Sequence, residues 1–180
     1  YIFYTHHLCL RALDTNLKCE IYHISHYAQK TCAEMRINME SLVYQKVKEF
    51  KNKYPMTISW RLKKHAKVVE EHLNSDEKVL YAFAAQKNDN PIDIITTNVI
   101  AITNKRIVLG QKRLLFGYFF TSITPDMFND LKVKMGLVWG KIYIDTVKEF
   151  VTLSNIQKAA LSEIESAISE LSLIHISEPT

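Results

Sequence analysis

Between Asn74 and Ser154 the chain is cut into short runs rich in Ile, Val, Thr and aromatic residues, and turn-forming residues separate most of them. None of the gaps is long enough for a helical crossover. The sheet they build should therefore be antiparallel. The runs are Lys78–Gln86, Ile94–Thr103, Arg106–Gly110, Leu114–Ile123, Phe128–Met135, Val138–Asp145 and Lys148–Leu153. About seven sequential short strands of this kind predict a sandwich or a barrel.

The faces of the runs differ. In the first, Val79, Tyr81, Phe83 and Ala85 alternate with Leu80, Ala82 and Ala84, so both faces are apolar and both should be buried. Phe128–Met135 sets Asp130, Lys132 and Lys134 against Leu131, Val133 and Met135, the pattern of a half-exposed edge strand. Val138, Gly140, Ile142 and Ile144 oppose Trp139, Lys141, Tyr143 and Asp145. Asn104-Lys105 has the spacing of a two-residue hairpin, with Asn tolerating positive φ. The next turn falls at Gly110-Gln111 or Gln111-Lys112, and Gly117 marks a bulge or close approach.

Helices flank this region. Val43, Val47, Phe50 and Tyr54 recur at helical steps after Ser41, a usable N-cap, and Pro55 ends the helix. A second helix is expected over Thr57–Leu73, capped by Thr57, with Ile58, Leu62, Ala66, Val69 and Leu73 on one stripe. Trp60, Lys63, Lys64 and Lys67 lie opposite, as a basic solvated face or a candidate interface with a membrane surface or acidic partner. His65 and His72 read as flank residues. Ser154-Asn-Ile-Gln157 has the form of a capping box, followed by Ile156, Ala160, Ile164, Ala167 and Ile168 at helical spacing. That closing helix must bury its stripe against the open end of the strands.

Composition bounds the rest. With 180 residues, 47% of them hydrophobic and 23% charged, the chain has material for one core and is not disordered throughout. No apolar run approaches the roughly 20 residues of a membrane span. Four glycines and a net charge of +4 supply neither a glycine-rich phosphate cradle nor a mandate for nucleic acid. Residues 1–38 hold all three cysteines and show no sustained period, and are expected to be a non-native upstream extension, with translation starting at Met39 or Met35. Cys19, His23, His26 and Cys32 have ligand chemistry but no knuckle or turn glycines, so no metal is expected. The cysteine-free remainder suits a reducing cytoplasm. Residues 171–180 match, at all ten positions, a translated sequencing adapter, and are set aside as a scar. The expected organisation is therefore an extension (1–38), a helical segment (39–73), a strand-rich domain (74–170) and the scar (171–180).

The order of the motifs carries a resemblance. Ile100-Ala-Ile-Thr-Asn-Lys-Arg-Ile-Val108, Ser122-Ile-Thr-Pro-Asp126 and Gly136-Leu-Val-Trp-Gly-Lys-Ile-Tyr-Ile-Asp-Thr146 resemble, in sequence and spacing, segments of bacterial pleckstrin-homology-like proteins of the YokE-like group. The resemblance covers about Leu73–Ser169 and leaves the two preceding helices outside. It implies a mainly β, α+β fold: seven antiparallel strands in a sandwich or barrel, capped by the C-terminal helix. Eukaryotic relatives often bind phosphoinositides through basic side chains at the first hairpin. Here Lys87–Pro91 lacks a basic cluster, and the basic residues lie at later turns: Lys105 and Arg106, then Lys112 and Arg113.

No nucleophile with a base and no paired carboxylates stand out after Met39, so no catalytic residue and no cofactor are expected. The leading expectation is a non-catalytic module for protein association or self-assembly, through the Phe128–Met135 edge or a Phe116–Phe120 patch. The alternative is weak binding to anionic lipid through Lys105, Arg106, Lys112 and Arg113. Nucleic acid is not expected. The expected location is the cytoplasm, or the inner membrane face if the lipid alternative holds.

Overall fold

The computed structural model describes residues 41–88 and 94–174. The expected extension, the Cys19/His23/His26/Cys32 set, residues 89–91 of the first loop and residues 175–180 lie outside the described residues.

The strands are β1 (Val79–Gln86), β2 (Thr97–Thr103), β3 (Ile107–Lys112), β4 (Tyr118–Ile123), β5 (Phe128–Met135), β6 (Trp139–Thr146) and β7 (Phe150–Gln157). The helices are α1 (Leu42–Lys53), α2 (Leu62–Glu70) and α3 (Leu161–Ile174). One antiparallel sheet has the order β4-β3-β2-β1-β7-β6-β5. β1 and β7 meet only at Gln86 and Ser154, so the sheet opens there and curls into a half-barrel. β5 is an edge strand, as its half-polar pattern requires.

Two apolar layers explain the pattern of β1 and β2. Phe83, Ile100, Ile102 and Leu109 point into the curl with Ile142, Ile144 and Leu153, and α3 closes that core with Leu161, Ile164 and Ile168, all buried. Ala82, Ala84, Val99, Ala101 and Val108 point the other way and are covered by Val43 and Val47 of α1 and Ala66 and Val69 of α2. Each fully buried Ile or Leu stabilises the fold by about 1.5–3 kcal/mol.

α1 forms as its spacing predicts, with the Ser41 Oγ accepting the Tyr44 N–H at 3.1 Å. α2 is shorter than expected. Thr57 does not cap it: that side chain is buried and accepts the Gln157 N–H at 3.0 Å, while the Ile58 N–H donates to the Asn155 carbonyl at 3.1 Å. Residues 56–58 are thus stitched to β7, and the helix begins only after Arg61, which sits at φ 51° with no side-chain cap.

The capping box is also corrected. Ser154–Gln157 is the end of β7, where Asn155 takes φ 59° and its side chain donates to Gln86 Oε1. Ser154 Oγ donates to the Gln86 and Asn88 carbonyls instead of capping a helix. α3 starts after a short 3-10 turn, Lys158–Ala160, and Ile156 is buried from the strand rather than from the helix. α3 runs into the segment set aside as a scar, where Leu171 continues the stripe of Ile164 and Ile168 and is buried.

Two strand limits move as well. Residues 94–96 are a 3-10 turn, and residues 113–117 are a loop, because Lys112 pairs with Tyr118 and nothing opposes the residues between. Gly117, at φ 78°, closes that loop through its carbonyl, which accepts the Arg113 N–H at 3.2 Å. Gly110 is not a turn residue but lies within β3. A Cβ there would stand 2.6 Å from Val69 Cγ2 and 3.3 Å from the His65 carbonyl, so its missing side chain is what lets α2 lie down on the strand. The Asn104-Lys105 turn is present without positive φ. The Thr103 hydroxyl accepts the Lys105 and Arg106 N–H groups and takes over the work of the turn.

Candidate functional site

α2 is held against β3 and β4 at three points. Gly110 removes the obstacle at its middle. Near its start the Lys112 backbone N–H donates to His65 Nδ1 at 2.8 Å. Past its end His72 stacks on Phe120, ring centroids 4.4 Å apart, and shares a 3.0 Å hydrogen bond with the Tyr118 hydroxyl. His65 and His72 are therefore the pins of the helix rather than flank residues.

The result is a basic groove of about 360 Å³ between α2 and the β3–β4 loop. Arg61, Lys64 and Lys67 line it from the helix, and Lys112 and Arg113 from the loop, with Leu114 and Leu115 at its lip. Glu71 is the one carboxylate in the lining, 3.7 Å from Lys67. Among the described residues Arg61, Lys64, Lys112 and Arg113 have no ion pair. The guanidinium of Arg61 lies 5.2 Å from the centre of the Trp60 ring and that of Arg113 4.5 Å from Phe119, contacts that orient each cation without neutralising it. A smaller pocket of about 150 Å³ adjoins, walled by Trp60, His65, Phe119 and the same Arg61, Lys112 and Arg113.

Beyond the lip the loop is apolar and in solvent. Leu115 is 85% exposed and Phe116 86%, with Leu114, Tyr118 and Phe119 about half exposed. The Phe116–Phe120 stretch is thus largely a surface patch. Only Phe120 is drawn in, by His72.

The four basic residues expected to form one anionic-ligand surface are divided. Arg106 makes a fork-like pair with the buried Glu77 carboxylate, Nε to Oε1 at 2.9 Å and Nη2 to Oε2 at 2.9 Å. It also donates to the His72 carbonyl and Ser122 Oγ. Burial pushes the Glu77 pKa up, but the hydrogen bonds from Arg106, the Asn74 N–H and the Thr103 hydroxyl outweigh it and hold the pKa at about 2. Lys105 pairs with Asp76, whose pKa that hydrogen bond lowers. This end of β3 is internally neutralised, and Lys112 and Arg113 remain at the other. The expected helix interface divides too. Lys64 and Lys67 face the groove and Trp60 walls its neighbour, whereas Lys63 lies 5.9 Å from the Tyr44 ring of α1.

Arg61 and the exposed Leu114 and Leu115 were missed by sequence reasoning. Their signal was a Leu-Leu-Phe run between two cations and a glycine, too apolar for an ordinary loop. No group of three or more His, Cys, Asp or Glu side chains among the described residues could hold a metal.

The family model for the bacterial PH domain matches residues 73–170, more than half of the chain. This chain belongs to the bacterial PH domain family. Similar solved structures include a pleckstrin homology domain from Shewanella amazonensis SB2B, 15% identical, covering 63% of this chain and 89% of that one at a TM-score of 0.41. A DUF1696 family protein with a pleckstrin-homology domain from Shewanella loihica PV-4 is 14% identical, covering 63% and 94% at a TM-score of 0.43. Comparison with curated proteins returns no match. The matched segment contains Lys112 and Arg113 but not Arg61, Lys64 or Lys67, so the groove joins the PH domain to the helix before it.

Proposed function

We propose that this chain, whose PH fold serves in general as a non-catalytic interaction module, docks on an anionic bilayer surface through the α2/β3–β4 groove, with the Leu114–Phe119 loop entering the interface. The observation that carries this reading is the juxtaposition of unpaired cations with an exposed apolar loop, the pairing that interfacial proteins use. No helix of the described residues is long and apolar enough to cross a membrane, so the contact would be peripheral.

Magnitudes say why both parts are needed. Five cations and Glu71 leave four net charges. At about 1 kcal/mol each near an anionic surface they give about 4 kcal/mol, or roughly millimolar affinity. Burying Leu115 and Phe116 at about 2 kcal/mol each brings the total to about 8 kcal/mol, near micromolar. Flotation with phosphatidylcholine vesicles, with and without phosphatidylglycerol, tests the reading. Binding should require the anionic lipid, weaken as salt rises, and be lost in Leu115→Ser/Phe116→Ser. Equal flotation on neutral vesicles, or none on either, would refute it.

A second reading, association with a protein partner or a second copy, has its own support at the other edge of the sheet. Leu137 at the β5–β6 turn is 98% exposed, beside Met135, Val138 and Trp139. Light scattering of the full chain, with Leu137→Ser as control, distinguishes a dimer held by this tip from a monomer.

A further inference from the structure

Among the described residues no strand pairs with the far side of β5, and the backbone shows which of its groups are open there. The Gly136 N–H donates to the Trp139 carbonyl at 3.0 Å. Alternate residues from Gly136 back through Lys134 and Lys132 therefore turn their N–H and C=O groups to β6, and Val133 and Leu131 turn theirs outward. The Leu131 N–H agrees: it donates not to β6 but to Asp130 Oδ1, at 2.8 Å in an exposed bond. A bulge between Phe128 and Asp130 interrupts the strand, so the regular edge begins at Asp130.

Open edges are normally guarded against pairing, and lysine is a usual guard. Here the order of the charges leaves one pairing available. Laid antiparallel on itself about Lys132, the stretch Asp130-Leu-Lys-Val-Lys134 sets each Asp130 against the second copy's Lys134. Leu131 falls opposite the second copy's Val133, in hydrogen-bonded pairs that use the outward-facing groups. Both side chains are half-buried at the margin of the core, and this pairing completes their cover. The one like pair is Lys132 with Lys132 at the axis, where each Nζ already lies 3.4 Å from the Asp130 carboxylate of its own chain. Moving the axis to Val133 sets Lys132 against Lys134 twice, and moving it to Leu131 runs Val133 into the bulge.

The surroundings match in the same sense. Asp130 stands opposite Asp145 of β6 and Lys134 opposite Lys141, so one end of this hairpin is acidic and the other basic. Antiparallel pairing brings the unlike ends together. Past the basic end lies the exposed apolar tip, residues 135–138. Past the acidic end, Ile123, Pro125, Phe128 and Ile168 line a small apolar hollow. A two-fold axis at Lys132 lays each tip alongside the other copy's hollow. The opposite edge strand, β4, carries no charged side chain.

We infer that β5 pairs with β5 of a second copy of this chain, antiparallel and two-fold about Lys132, joining the two sheets into one. This deepens the second-copy reading of the exposed tip and rests on it. A contact of this self-complementary kind closes at two copies.

The test is sedimentation equilibrium of the full chain and its charge variants. Asp130→Lys and Lys134→Asp should each weaken the dimer about tenfold or more, because each sets like charges together at both ends. An equimolar mixture of the two variants should recover the dimer, which also shows that both are folded. Lys132→Thr should tighten it about threefold by removing the like pair at the axis. Single variants that dimerise like the wild type, a mixture that stays monomeric, a weaker Lys132→Thr dimer or a ring of more than two copies would each overturn the pairing. If the wild-type assembly is then still lost in Leu137→Ser, the tip reading stands without it. A wild-type chain that is monomeric at every concentration defeats the pairing and the second-copy reading together.

Discussion

The two ends of strand β3 carry equal charge and do opposite things. Lys105 and Arg106 precede it, and Lys112 and Arg113 lie at its other end. At the first end a carboxylate waits for each cation, and the Arg106–Glu77 pair is sunk under the end of α2 with every oxygen satisfied. At the second end Arg113 lies on the Phe119 ring, and both cations are exposed without an acid beside them. Charge in a sequence is thus not yet a binding surface. What separates structure from function here is whether the fold brings an acid within reach.

The largest test of this contrast is Glu77→Ala. It strands Arg106 in a partly buried site, and removing one partner of a buried pair costs about 3–5 kcal/mol. Urea denaturation should show the loss, while vesicle binding of the protein that remains folded is unchanged. The same pair should be visible in acid. Glu77 has a pKa of about 2 when folded against an ordinary 4.5, so its contribution is complete above 4.5 and is lost as pH falls toward 2. His65 acts with the same sign in a higher window. Its pKa is about 4 against an ordinary 6.5, so the unfolded chain takes the proton first and stability falls from pH 6.5 toward 4. Urea midpoints at pH 7, 5.5 and 3 should therefore decline in two limbs. Glu77→Gln should flatten the lower limb and His65→Gln the upper.

Next in size is Gly110→Ala. The added methyl meets Val69 of α2 at 2.6 Å, and overpacking of this kind costs about 1–3 kcal/mol. It should also lift the helix and weaken vesicle binding, coupling the two ends that Glu77→Ala leaves separate. Unchanged melting would mean that α2 does not press on β3. Lys112→Ala with Arg113→Ala should remove about 2 kcal/mol of binding, roughly thirtyfold in flotation affinity, with melting unchanged. The smallest effect is expected of Lys105→Ala, a surface pair worth less than about 1 kcal/mol in stability and nothing in binding. If instead Lys105→Ala impaired flotation as much as the double variant, the division of β3 into two ends would be wrong.

Much of the architecture was legible before any coordinates. Strand periodicity predicted the run of strands, the edge character of β5 and the double burial of β1, because period-2 alternation follows directly from the geometry of a pleated chain, whereas the β1–β7 contact that sends β4 and β5 to opposite edges was not foreseen. The errors cluster where a local signal had two uses. Ser154 and Gln157 are at cap spacing, yet their side chains bond to Gln86, Asn88 and Met56 across the fold. Thr57 can cap a helix, but Gln157 claims it. Gly110 looked like a turn and is a contact. In each case a partner about 40 or more residues away decided, and no local window contains it. The site was legible only in part: four of its five cations were visible, whereas Arg61 and the grouping of Lys64 and Lys67 with Lys112 and Arg113 were not.

The amino-acid order alone determined that this chain builds a set of short antiparallel strands, a sandwich or a barrel, closed by a greasy helix, since alternation and turn chemistry act within a few residues. Tertiary structure alone decided which lysines and arginines are spent on acids and which are left for an outside partner. Electrostatic pairing depends on distances through space, and those exist only after α2 has settled on β3 at Gly110.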